Sequence, residues 1–472
     1  PVSKPTTRSN NDSQSTLLQH GCPVAGQAAA MPAPAQTAAP DQPTRRRWLG
    51  SVAGLVGASA MGASAHDGLP ADRQMPQSAH VADAPHSTNT LDRVPFFGTH
   101  QAGIVTPRPV AGMVASFDVL ADNPAELARL FKTLTERLRF LTSGGAQTDP
   151  DPRLPPAGSG ILGPVVQPDG LTATVSVGAS LFDERYGLAA LKPLHLVPMQ
   201  QHKNDALQPA LCHGDLSIQL CANSADTTIH ALRDIIKTLP DLLVLRWKQE
   251  GTVPAIAAVP GQPAESARNF LGFKDGSANP DSADEALMNK VVWVQAASGE
   301  PAWATGGSYQ VVRIIRNFVE RWDRTPLREQ EAIMGRAKPT GAPLHGGRTE
   351  HDVPDYAADP NGLHTKLDAH IRLANPRTAE SAANLILRRP FNYSNGVTKS
   401  GQLEMGLLFI CYQHNVALGF TAVQNRLDGE PLEEYIKPIG GGFFYTLPGV
   451  QGEGDWLGKG LLAAARAAVR QP

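Results

Sequence analysis

Between residues 92 and 247 the apolar positions change period in a fixed order, and that order constrains the fold more than any other feature of the chain. Met113 to Leu120 reads as a strand. Asn123-Pro124 then supplies a helix start: an acceptor side chain is followed by a residue whose fixed φ suits a first turn. Leu127, Leu130, Phe131, Leu134, Leu138 and Leu141 follow at helical spacing. Thr172 to Gly178 and Leu216 to Cys221 alternate as strands, Ile229, Leu232, Ile236 and Leu239 mark a second helix, and Leu242 to Trp247 reads as a last strand. Strand, helix, strand, strand, helix, strand is the ferredoxin-like unit.

The second half repeats this plan less cleanly. Strands are expected at Val291 to Val294, Tyr309 to Arg316, Asn384 to Arg389, Gly406 to Tyr412 and Gly442 to Leu447, with helices over Arg328 to Arg336 and Val416 to Leu427. The expected fold is therefore α+β: two ferredoxin-like domains with antiparallel sheets, 92–247 and 248–472, whose sheets pack on one another around a shared core. A chain of 472 residues with 41% hydrophobic residues can bury such a core. Its net charge of −2 carries no electrostatic footprint for nucleic acid. The cysteines, Cys22, Cys212, Cys221 and Cys411, are too few for a disulfide scaffold. Cys212 and Cys221 either pair across a turn after export or stay as free or buried thiols.

Residues 1–65 read as an export signal behind a long N-terminal extension. Thr44-Arg45-Arg46-Arg47-Trp48-Leu49 precedes an uncharged run rich in Gly and Ala, Gly50 to Ala65, that ends in Ala63-Ser64-Ala65. A basic region, a short apolar region and a small-residue cleavage site in that order, with paired arginines, make a twin-arginine signal. The run is too short to be a stable membrane anchor. Residues 66–91, rich in Ala, Ser, Pro and His, read as a flexible segment. The twin-arginine route carries folded proteins, so a cofactor loaded before export is expected, and with it a periplasmic or extracellular destination.

Two stretches carry the chemistry. In Gly272-Phe-Lys-Asp275-Gly276 a glycine on either side of an acid lets backbone approach closely and aims the carboxylate into a cavity. In the other, His370 is followed by Arg372, Asn375 and Arg377, and then by Arg388 and Arg389 on an expected strand. Histidine is a common axial ligand of haem iron, and arginines suit haem propionates and developing negative charge. No Cys-x-x-Cys-His occurs, which excludes covalent c-type attachment.

Phe96-Phe-Gly-Thr-His100-Gln101-Ala-Gly-Ile-Val-Thr-Pro, Gly272-Phe-Lys-Asp275-Gly-Ser-Ala-Asn-Pro, His370-Ile-Arg-Leu-Ala-Asn-Pro-Arg377, Ile386-Leu-Arg388-Arg389 and Gly440-Gly-Gly-Phe-Phe together resemble the motifs of the dye-decolourising peroxidases. The similarity is closest to the exported branch described as deferrochelatase/peroxidase, and it spans nearly all of residues 92 to 465. The resemblance implies a haem b in the 248–472 domain, with His370 as axial ligand and Asp275 and Arg388 on the opposite, distal side. Asp275 would carry the proton that lets bound hydrogen peroxide split heterolytically, and Arg388 would steady the charge on the leaving oxygen. Gly276, Ser277 and Ala278 would lie along the haem edge. Asn375, Pro376 and Arg377 would contact it from the histidine side, with Arg377 pairing a propionate. Arg389 is the fallback for Arg388.

The family usually carries an aspartate where this chain has Asn415. If that aspartate partners the proximal histidine, its loss makes the iron easier to reduce. Tyr393, Trp303, Trp322 and Tyr412 are candidate electron relays that read equally as core aromatics. The implied function is a haem peroxidase that uses hydrogen peroxide to oxidise dyes and other bulky or phenolic small-molecule reductants. The alternatives are a deferrochelatase that releases haem iron for iron acquisition, and a haem carrier without turnover. A homodimer and iron-uptake partners stand as further expectations.

Overall fold

The computed structural model describes residues 87–147, 151–254, 256 and 265–469. Residues 1–65, where an export signal is expected, Cys22 among them, and residues 66–86 lie outside the described residues.

The strands are β1 Ala111–Val119, β2 Gly145–Ala146, β3 Val165–Val166, β4 Thr172–Gly178, β5 Leu216–Ala222 and β6 Leu243–Thr252, then β7 Ser308–Asn317, β8 Leu387–Arg388, β9 Phe391–Val397, β10 Leu403–Gln413 and β11 Ile436–Thr446. Helices α1 Pro124–Ser143 and α2 Ala225–Thr238 serve the first half. The second half carries α3 Glu285–Val291, α4 Val319–Trp322, α5 Leu327–Met334, α6 His370–Ala374 and α7 Ala422–Leu427, and α8 Lys459–Val469 closes the chain.

Helix α1 begins where its sequence says it should. Asn123 Oδ1 accepts from the backbone N–H groups of Ala125 and Glu126, both at 3.0 Å, which satisfies two of the donors a helix start leaves open. Its six expected apolar positions are all fully buried. In α2 the buried stripe runs through Leu232, Ile235 and Leu239, while Ile236, expected inside, is 37% exposed.

Both halves are ferredoxin-like sheets. The first runs β6-β1-β5-β4 and the second β9-β10-β7-β11, with the connections of a β-α-β-β-α-β unit. The expectation that the two sheets pack face to face is corrected: they join edge to edge. β4 pairs with β11 over Gly178, Val177 and Ser176, and β6 meets β9 at Thr252 and Asn392, so eight strands form a closed ring. Closure gives every strand of the ring two neighbours and leaves no open edge. β6 runs unbroken through residue 248, where the sequence suggested a join.

Side-chain alternation then sorts the ring into two surfaces. Val312, Ile314, Leu408, Ile410 and Tyr412 point inward with Val114, Trp247 and Phe444 to form one apolar core. Their neighbours Ile315, Leu407 and Phe409 point outward and line a cavity roofed by α6 and α7.

Two other expectations in the second half change. Val291 to Val294 is not a strand, because Asp284 caps α3 by accepting from Leu287 N–H at 2.9 Å and the helix continues to Val291. Of Asn384 to Arg389 only Leu387–Arg388 pairs as a strand, against Tyr412 and Cys411, since Ser381–Asn384 forms a single 3₁₀ turn. Cys212, Cys221 and Cys411 are free and buried. Tyr393, Trp322 and Tyr412 are core residues, at most 1% exposed, and the Trp303 indole donates to the Leu191 carbonyl at 2.9 Å. None of the helices among the described residues is long and apolar enough to cross a membrane.

Candidate active site

The cavity on the outer face of the second sheet has a volume of about 270 Å³. Its walls bring together Asp275, Gly276, Ser277, Ala278, His370, Asn375, Arg377 and Arg388, residues spread over more than a hundred positions of sequence. Pro376 is the one expected contact that is not in the lining. Arg377 adopts φ 61° and donates its N–H to Asn375 Oδ1 at 3.1 Å, a turn that presents residues 375 and 377 to the cavity and carries the ring between them away.

Arg388 Nη1 donates to Asp275 Oδ1 at 2.7 Å, with both side chains only partly exposed. Two elements hold this pair in register. Asn279 accepts from Arg388 N–H at 2.8 Å and donates to Arg388 C=O at 3.0 Å, clipping β8 to the Asp275 loop. Arg389 turns the other way and donates to the Thr106 carbonyl, which removes it as a substitute for Arg388.

The loop itself is fastened from behind by Glu350. This carboxylate accepts from Ser266 N–H at 3.0 Å, Lys274 Nζ at 2.9 Å and Ser277 Oγ at 2.8 Å. Ser277 therefore spends its hydroxyl on holding the loop. Burial alone would raise the Glu350 pKa, but these donors favour the charged form and the net direction is down. A depressed carboxylate contributes stability that is present above the ordinary glutamate range and lost as pH falls through the folded-state value. With only 3% of Glu350 exposed, Glu350→Ala is expected to cost about 3–5 kcal/mol near neutrality, the range for breaking a buried ion pair. In Glu350→Gln the loss should be smaller, and it should shrink toward zero below pH ~4.3. Denaturant unfolding of both variants across pH 3 to 8 checks this, and a pH-independent gap would refute it.

On the opposite wall, His370 opens α6. Gly335, at φ 84°, lets the end of α5 come so close that a Cβ there would sit 2.7 Å from Ile371, so α6 is pressed against α5. His370 Nδ1 lies 2.7 Å from Glu430 Oε2. Burial by itself would lower the His370 pKa; the Glu430 carboxylate, by charge and by hydrogen bond, outweighs it and the net direction is up. That contact fixes Nδ1 as the donor and leaves Nε2, which has no hydrogen bond among the described residues, for the cavity.

Glu430 was not found from sequence. It sits in the Gly429-Glu430-Pro431 turn sixty residues after His370, and no local spacing marks it. The expected candidate, Asn415, is elsewhere: its amide nitrogen is 2.9 Å from His195 Nε2, and its carbonyl oxygen accepts from Ala417 and Leu418.

Residues 101–252 match the family model for the N-terminal part of the Dyp-type peroxidases, and residues 266–451 match that for the C-terminal part. Deferrochelatases from Shigella boydii serotype 4 and from Escherichia coli K12 are each 57% identical over 423 residues, covering 89% of this chain and 97% of theirs. Among solved structures, a DyP-type peroxidase from Cellulomonas bogoriensis superposes with a TM-score of 0.70 at 35% identity, over 79% of this chain and 99% of that one. Ferric DtpA from Streptomyces lividans gives 0.69 at 31%, over 83% and 100%. The chain belongs to the Dyp-type peroxidase family and is a haem-dependent peroxidase.

Proposed function

We propose that the cavity holds haem b, which His370 Nε2 would ligate, and that the Asp275–Arg388 pair in the same cavity would meet the hydrogen peroxide. The residues present suit that group. The walls from Ile315, Leu407, Phe409, Phe420, Val423 and Leu427 are apolar enough for a flat macrocycle, and a histidine with one nitrogen committed to a carboxylate is a strong donor through the other.

Haem supplies the redox chemistry, taking two electrons' worth of oxidation from peroxide and passing it to the reductant. The protein supplies proton transfer and charge. The Asp275 carboxylate takes the proton from one peroxide oxygen and returns it to the other, so that the second oxygen leaves as water. The Arg388 guanidinium offsets the negative charge that builds on the leaving oxygen. The observation that carries this reading is the 2.7 Å Asp275–Arg388 pair in the same cavity as a histidine whose Nδ1 is already committed. Gly276, Ser277, Ala278 and Asn375 shape the cavity around the ring.

A second reading has support of its own. The curated relatives are named deferrochelatase, at an identity that extends over almost their whole length. On that reading iron leaves the haem and the porphyrin survives. Incubation of the haem-loaded protein with a ferrous chelator, followed by chromatography of the tetrapyrrole, separates the two: intact metal-free porphyrin favours release, whereas peroxide-dependent dye oxidation with the haem retained favours the peroxidase. Iron-uptake partners belong with this second reading, whereas a homodimer is compatible with either.

Export rests on Arg45-Arg46 and the apolar run behind them. Arg45→Lys together with Arg46→Lys is expected to shift the protein from the periplasmic to the cytoplasmic fraction with its haem still bound. An unchanged periplasmic yield would remove the twin-arginine assignment.

A further inference from the structure

The roof of the cavity is made of two short helices that one arginine joins. Every residue of α6 and of α7 keeps some exposure, and Ile371, Ala374, Val423 and Leu427 line the cavity. Their apolar side chains serve the cavity, and the tie between the helices is polar. Arg426 makes it. Its Nε donates to the Leu373 carbonyl and its Nη2 to the Ala374 carbonyl, both at 2.9 Å, while Nη1 donates to Asn384 Oδ1 at 2.8 Å. Leu373 and Ala374 carry the last carbonyls of α6, acceptors that a helix end leaves open. Asn384 extends the tie, donating through Nδ2 at 2.7 Å to the Leu418 carbonyl in the π-helical turn Ala417–Thr421 that leads into α7.

The other end of α6 is held differently. Arg372 Nη1 donates to the Thr365 carbonyl at 2.8 Å, and His370 Nδ1 meets Glu430, which follows α7. One stretch of chain, carrying Arg426 and Glu430, thus suspends α6 at both ends. The two residues differ in what they touch. Glu430 lines the cavity, whereas Arg426 lies outside the lining. A guanidinium whose planar donors are all spent on neutral acceptors in neighbouring segments orients those segments and brings no charge to the cavity.

We propose that Arg426 is a positioning residue for His370 and the latch of the roof. While its hydrogen bonds hold, α6 keeps the imidazole at the cavity; when they open, the Ala374 end of α6 swings away and the tetrapyrrole passes intact. The proposal rests on the haem reading above and adds a route to it, since loading a peroxidase and giving up a porphyrin both require the flat ring to pass this roof. Weakening a latch speeds passage in both directions. Losing a contact with the bound ring speeds release alone.

The test compares two rates at the Soret band: haem uptake by the full chain without haem, and haem loss from the loaded protein to an excess of a haem-scavenging globin. Wild type, Arg426→Gln, Arg426→Lys and Asn384→Ala are measured, and amide hydrogen exchange of the same proteins without haem supplies a readout that needs no ligand. Arg426→Gln is expected to raise uptake and loss together by roughly tenfold. Protection of residues 370–374 and 417–427 should fall by a similar factor, with β7 and β10 unchanged. Arg426→Lys, which lacks the planar fork, and Asn384→Ala, which removes one acceptor, should lie between Arg426→Gln and wild type. Faster loss with unchanged uptake would overturn the latch, as would unchanged protection of the roof. If Arg426→Gln loses protection in the sheet as well, its fold has failed and Asn384→Ala decides: acceleration of both rates supports the latch, and unchanged rates overturn it. Wild type without a histidine-ligated Soret band would sink the haem reading, whereas loss of protection confined to the roof in Arg426→Gln would still support the clasp between α6 and α7.

Discussion

Asp275→Asn and Arg388→Leu are each expected to abolish most peroxide-dependent turnover while leaving the haem in place. Removing a positioned proton carrier costs roughly 10²–10⁴-fold, and removing one donor to a developing anion roughly 10²–10³-fold. The two groups are joined by a 2.7 Å ion pair, so their effects should not add: the double variant should lose little more than the worse single one. Asn279→Ala, which frees Arg388 from the Asp275 loop without touching either charged group, should produce a smaller loss that appears in the peroxide step and not in the affinity for dye. Stopped-flow measurement of the first reaction with peroxide, at several peroxide concentrations, reads all four variants. Turnover in Arg388→Leu within about twofold of wild type would end the assignment of this pair. Arg389→Leu is the contrasting control, since that side chain reaches toward Thr106 and not into the cavity.

The parts of the fold that could be read from sequence are those set by local chemistry. Asn123-Pro124 caps a helix wherever it is followed by apolar residues at helical spacing, and the Thr172–Gly178 strand is bounded as its alternation suggested. Short apolar runs misled. Val291 to Val294 has strand composition, yet Val291 closes the helix that Asp284 caps and the other three residues leave it in a turn. Ring closure was hidden because it depends on β9, Phe391–Val397, a strand with too little apolar alternation to stand out, and on its single contact with β6. The site divides the same way. Asp275, His370 and Arg388 each stand in a motif that the resemblance to the family marks, since the local pattern around each is weak by itself. Glu430 and Tyr356 enter through tertiary contact alone, one from a turn and the other from a long irregular segment, and spacing cannot find either. Asn415 shows the converse, a position suggestive in sequence whose side chain is spent on His195 and its own helix start.

That misplacement makes the last prediction sharp. His370→Ala should remove the iron's protein ligand and with it the ligated Soret spectrum, whereas Glu430→Gln should keep the spectrum and move the reduction potential. A carboxylate on Nδ1 pulls the imidazole proton toward itself, which makes Nε2 a better donor and favours ferric over ferrous iron. Gln keeps the size and an acceptor oxygen but not the charge, so the potential should rise. Partners of ligating histidines typically matter ten- to a hundredfold, and each tenfold change in the ferric preference is about 59 mV for a one-electron couple. Asn415→Asp is the discriminating control. If the partner were at 415, restoring an aspartate there should lower the potential. With the His370 ring held at 2.7 Å by Glu430 and Asn415 facing His195, that change should leave the potential where it is. A potential that moves with residue 415 and ignores residue 430 would overturn the proximal arrangement described here.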